Sequence, residues 1–141
     1  MRLILPIALF FAASAVFASE DQLYLLVHPP DAGMAVEESY AIELMQGQRR
    51  SFVGGLPARV ILPSRQADAF DAIALGFFST SGEGMQKLWF KLVFSGRVNA
   101  PKYLDSGEEI LRYVESNPGS VGIVMLEEAP VGVTSFRVDV P

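Results

Sequence analysis

The chain has 141 residues, with 11 Lys+Arg against 16 Asp+Glu, one His and no Cys. That length suits one domain and argues against two. The missing cysteines exclude a disulfide scaffold, thiol catalysis and Cys-ligated metals. A formal net charge of −5 is a poor match for nucleic acid, whose phosphates call for Lys and Arg.

Met1-Arg2 gives a positive start, and residues 3–17 are apolar apart from Pro6 and Ser14. Val16-Phe17-Ala18 then places small or branched residues before a cut after Ala18. This plan predicts a secretory signal peptide over residues 1–18 and a single domain over residues 19–141. The apolar run is shorter than the roughly 20 residues that span a bilayer as a helix, so an uncleaved anchor is the lesser reading. With no Cys after the leader and no later segment of spanning length, the expectation is a soluble periplasmic protein without a membrane span.

Leu23-Tyr24-Leu25-Leu26-Val27 is an unbroken apolar run stopped by His28-Pro29-Pro30, the pattern of a strand buried on both faces. Residues 36–45 predict a helix with Glu37 and Glu38 at its start and Gly47 past its end. Gly54-Gly55 is a turn, and Arg59-Val60-Ile61-Leu62 is a second strand ended by Pro63. Residues 68–78 carry Phe70, Ile73, Ala74 and Phe77 at helical spacing. After the hydroxyl-rich break at Ser79-Thr80-Ser81-Gly82, Met85, Leu88, Trp89, Leu92 and Val93 give the clearest helical period. Ser106 and Glu109 form a capping-box pattern before Ile110, Leu111 and Val114, and Asn117-Pro118-Gly119 closes that helix. Val121-Gly122-Ile123-Val124-Met125-Leu126 is a third strand, and Phe136, Val138 and Val140 alternate with Arg137 and Asp139 in a fourth. The order β-α-β-α-α-α-β-β predicts a compact α/β domain with a mixed, largely parallel sheet flanked by helices.

His28 follows the first strand, where α/β sheets place ligands, which gives it a binding reading beside that of a loop histidine. One His cannot build a triad or a multi-histidine metal site. Glu37-Glu38, Glu108-Glu109 and Glu127-Glu128 are neighbours rather than facing dyads, and the first two suit solvated helix starts. Arg49-Arg50, Ser64-Arg65 and Arg97 supply donors suited to phosphate or carboxylate. Ser64-Arg65, between a strand end and a helix start, fits either an anion cradle or a capping serine with a surface arginine. Walker-type and dinucleotide glycine patterns are missing, so no cofactor is expected. Trp89 and the phenylalanines match helix periodicity and are expected in the core.

Together these segments resemble a known family. The carrying residues are Leu25-Leu26-Val27-His28-Pro29, Gly47-Gln48-Arg49-Arg50-Ser51-Phe52 with Gly54, and Leu62-Pro63-Ser64-Arg65. Trp89-Phe90-Lys91-Leu92-Val93-Phe94-Ser95-Gly96-Arg97 with Pro101, and Asn117-Pro118-Gly119-Ser120-Val121-Gly122-Ile123, complete the series. The chain resembles short periplasmic proteins related to the phosphate-binding component of ABC uptake systems. The resemblance implies a type 2 periplasmic-binding-protein-like fold and a solute-binding or accessory role. In the larger phosphate binders of that family a Ser-Gly-Thr run contacts the anion. The matching stretch here, Ser64-Arg65-Gln66-Ala67-Asp68, keeps Ser64 and Arg65 as donors and lacks the glycine and threonine.

The expected function is therefore non-enzymatic binding of a small anion such as phosphate for an uptake or sensing system, through Ser64, Arg65, His28 and Arg50. The alternative is an accessory protein that keeps the fold without a tight ligand and binds a periplasmic or inner-membrane protein.

Overall fold

The computed structural model describes residues 21–139; the expected signal peptide at 1–18 and Val140 of the last strand lie outside the described residues. Within them the chain runs through β1 (Gln22–His28), α1 (Glu38–Met45), β2 (Arg59–Pro63), α2 (Phe70–Phe78) and α3 (Gly82–Phe94). It continues through β3 (Lys102–Leu104), α4 (Gly107–Ser116), β4 (Ser120–Leu126) and β5 (Thr134–Val138). The short strand β3 has no counterpart in the predicted order.

Side chains alternate across a strand, and the central strands are apolar on both faces. Leu23, Leu25 and Val27 of β1, Val60 and Leu62 of β2, and Val121 and Ile123 of β4 pack with α1, α2 and α3. Tyr24, Leu26, Ile61 and Val124 face the other way and meet Ile110 and Val114 of α4. The result is three layers, with three helices on one face and one on the other. Gly122 lets α4 approach: a Cβ there would lie 2.9 Å from both Ile110 Cγ2 and Val114 Cγ2.

The sheet order is β3-β2-β4-β1-β5. β2 is parallel to β3 and β4, while β1 is antiparallel to β4 and β5. Four strands thus share one direction as the sequence predicts, but β1 runs against them from inside the sheet, so the pairings divide evenly between the two kinds.

Local chemistry sets the helix ends. Gly47 and Gly96 take positive φ (73° each) just beyond α1 and α3. At each, the glycine N–H and the following N–H bond back to carbonyls of the last turn: Gly47 to Leu44 and Gln48 to Glu43, Gly96 to Val93 and Arg97 to Leu92. Both are Schellman ends, which need that left-handed residue. Ser81 Oγ accepts from the Gly84 N–H at 3.0 Å and caps α3. Ser106 Oγ accepts from the Glu109 N–H at 3.2 Å, and the Glu109 carboxylate accepts from the Asp105 N–H at 3.0 Å. The capping box expected at Ser106 therefore closes one residue earlier than its usual form.

Candidate functional site

In open α/β sheets, ligands sit beyond the carboxyl ends of the strands. Here the carboxyl ends of β2 and β4 border a cavity of about 240 Å³, with the starts of α2 and α4 beside it. Asp21, Asp68 and Asp105 line it, together with Gln66 and Ser106 over Ile73, Ile110 and Val124. Lys and Arg are absent from that lining. Two helix N-termini favour negative charge, yet the charged side chains that line the cavity are all carboxylates, which repel an anion.

Ser64 emerges from the end of β2, where its N–H donates to the Leu104 carbonyl at 2.8 Å. Its hydroxyl donates to Asp105 Oδ1, and Gln66 Oε1 lies 3.1 Å away. The single hydroxyl proton is thus engaged by a carboxylate. Arg65, the other half of the predicted pair, turns away. Its Nε donates to Gln86 Oε1 at 2.7 Å, and it borders a small groove with Glu83, Gln86, Lys87 and Phe90 on α3.

His28 and Arg50 lie at the opposite end of the sheet. The His28 carbonyl accepts from the Gly119 N–H, the Gly119 carbonyl accepts from the Arg59 N–H, and the Arg50 carbonyl accepts from the Ala58 N–H. At about 3.3 Å per residue, β2 holds this end roughly 15 Å from Ser64. The four predicted ligand residues therefore do not form one site. His28 is the last residue of β1 rather than a free loop residue. Its Nδ1 lies 2.6 Å from the Val114 carbonyl; a carbonyl only accepts, so Nδ1 carries the proton and ties β1 to α4. Arg49, beside Arg50, is paired with Glu43 and stacked on the Tyr40 ring at 4.6 Å. The bond and charge of Glu43 hold the Arg49 pKa above its ordinary value.

Sequence reasoning missed Asp105, whose only local signal is its place just before the Ser106 cap. It also placed all the phenylalanines in the core. Trp89 is fully buried as expected, but Phe90 and Phe94 are 63% and 74% exposed. They lie one helical turn apart on the outer face of α3, with ring centroids 4.2 Å apart. Lys91 is exposed between them in sequence, and Lys87 pairs with Glu83 one turn before.

No family model matches the sequence, and no curated protein matches it. Among solved structures the chain is similar to an ABC-type phosphate transport receptor from Vibrio cholerae, with 15% identity and a TM-score of 0.47. The match covers 84% of this chain and 47% of that one, so this chain spans about half the length of that receptor. Among the described residues, no helix is long and apolar enough to cross a membrane, and no group of three His, Cys, Asp or Glu is placed to hold a metal ion.

Proposed function

We propose that this is an exported, non-catalytic protein that keeps a solute-binding-like α/β fold and works by docking a protein partner on α3. The exposed Phe90–Phe94 pair carries this reading. Two adjacent aromatic rings turned to water on one helix face, rimmed by charge, are the pattern of an interaction surface. Beside Phe90 the Glu83 and Lys87 charges pair with each other, which leaves Arg65 and the exposed Lys91 as the unpaired charges of the rim although the chain as a whole is acidic. The complementary partner therefore offers an apolar side chain to the rings and carboxylates to that rim. Small-anion capture at the strand ends is disfavoured by the Ser64–Asp105 bond and by the acidic lining of that cavity. A non-catalytic role fits a serine bonded to a carboxylate with the chain's one histidine at the far end of the sheet.

A photo-cross-linker at position 90 or 94, with a control at exposed Glu115 on α4, tests the proposal in the exported compartment. The expected result is an adduct from α3 only, mapped by mass spectrometry to an acid-rich segment and reduced by Lys91→Glu. Equal labelling from position 115, or an adduct indifferent to Lys91→Glu, overturns it. So does calorimetric binding of phosphate, sulfate or a small carboxylate that Ser64→Ala abolishes.

A further inference from the structure

The amino end of β2 carries chemistry opposite to that of its carboxyl end. Arg59 opens β2, Lys102 opens β3, and the parallel register sets Lys102 beside Ile61. Their backbones are thus about two residues out of step on adjacent strands, a span that two long side chains bridge easily. Arg59 Nη1 donates to the Tyr113 hydroxyl at 2.9 Å, and the Lys102 ammonium lies 5.3 Å from the centroid of the same ring. Tyr113, on α4, therefore gathers both cations.

Arg59 and Lys102 line an open groove of about 360 Å³ with Asn99 and Pro101, and no Asp or Glu lines it. The ion pairs among the described residues join Arg49 to Glu43, Lys87 to Glu83 and Arg112 to Glu108. Arg59 and Lys102 belong to none of them, in a chain with five more acidic than basic residues. Two like charges brought to one ring repel each other, and an anion between them removes that repulsion; Asp105 and Glu109 share with Tyr113 a separate hollow that neither Arg59 nor Lys102 lines. The donors suit an oxyanion: the guanidinium keeps unused N–H groups, and the ammonium offers three more.

We propose that the Arg59–Lys102 groove is a binding site for a small free oxyanion of the phosphate or sulfate type. This goes beyond docking on α3 and stands independently of it.

The test is an NMR titration of the purified protein with inorganic phosphate at low ionic strength, with sulfate as competitor. Saturable shifts are expected at the amides of Ala58, Arg59, Ala100 and Lys102. Arg59→Gln with Lys102→Gln should weaken binding about tenfold or more by removing charge-assisted donors. Arg59→Lys, which keeps the charge and loses the fork, should fall between, and Ser64→Ala should bind as the parent does. No saturation in the parent overturns the proposal, as do shifts centred on Ser64–Arg65 or affinity unchanged in the double variant. Sedimentation with phosphatidylglycerol vesicles without saturation by inorganic phosphate also overturns it, since the site would then read a lipid surface.

Discussion

The hydroxyl of Ser64 donates to the carboxylate of Asp105, joining the end of β2 to the start of α4. A hydrogen bond to a charged acceptor of this kind is worth about 1.5–3 kcal/mol when buried and less when exposed, as here. Ser64→Ala should therefore lower unfolding stability by about 0.5–1.5 kcal/mol. Asp105→Asn should cost less, because the amide oxygen still accepts the hydroxyl proton. Urea unfolding of the two variants checks the order, and a larger loss for Asp105→Asn would contradict it.

Gly122 is where α4 comes closest to the sheet. Gly122→Val should cost about 1–3 kcal/mol or more, since the new side chain must displace Ile110 and Val114. Gly33→Ala, where an added Cβ meets nothing within 4 Å, should stay within about 0.5 kcal/mol of the parent. Chemical denaturation of the two single variants is sufficient, and equal effects would refute the close packing of α4.

Ser106 caps α4 through the Glu109 N–H. Ser106→Ala should lose about 1 kcal/mol, and Ser106→Asp should recover most of it because Asp caps equally well. Failure of Asp to rescue, measured by thermal melting, would mean that the serine acts by something other than capping.

Partial burial raises the pKa of Tyr103, a residue still 41% exposed, above its ordinary 10.0. The folded state then favours the neutral phenol. Its contribution to stability is complete below the unfolded value near 10 and is lost as pH climbs through the folded value. Between about pH 9 and about pH 11, Tyr103→Phe should lose less stability than the parent. Urea midpoints at the two ends of that range measure the difference, and parallel losses would contradict it.

Phe90→Ser with Phe94→Ser should leave stability within about 1 kcal/mol of the parent, because both rings face water. The same change should reduce binding of a dye that reports exposed apolar surface. Unchanged dye fluorescence would show that the rings are not an accessible patch.

The main elements were legible because their signals are local. Both Schellman glycines, the Ser81 and Ser106 caps and the unbroken apolar runs of β1, β2 and β4 depend on residues a few positions apart. β3 was not legible: Lys102-Tyr103-Leu104 has three residues behind a proline and is a strand only because β2 lies beside it. The reversed direction of β1 is likewise a matter of partners rather than pattern. At the candidate site, Ser64 looks like a free donor until the fold brings Asp105 to it. Arg59 and Lys102 look like unrelated surface charges until the register joins them. Phe90 and Phe94 were misplaced because α3 carries aromatic residues on both faces, and a periodicity drawn through Met85, Trp89 and Leu92 absorbs its neighbours.

The place of β1 also fixes an order of events. Leu25 pairs with Ile123 on one side and Phe136 on the other, so the first strand among the described residues depends on the last two. A chain emerging from its amino end at a ribosome holds β1 without partners until nearly all of the described sequence has followed. Contacts so distant along the chain slow folding, and until they form the apolar faces of β1 have nothing to cover them.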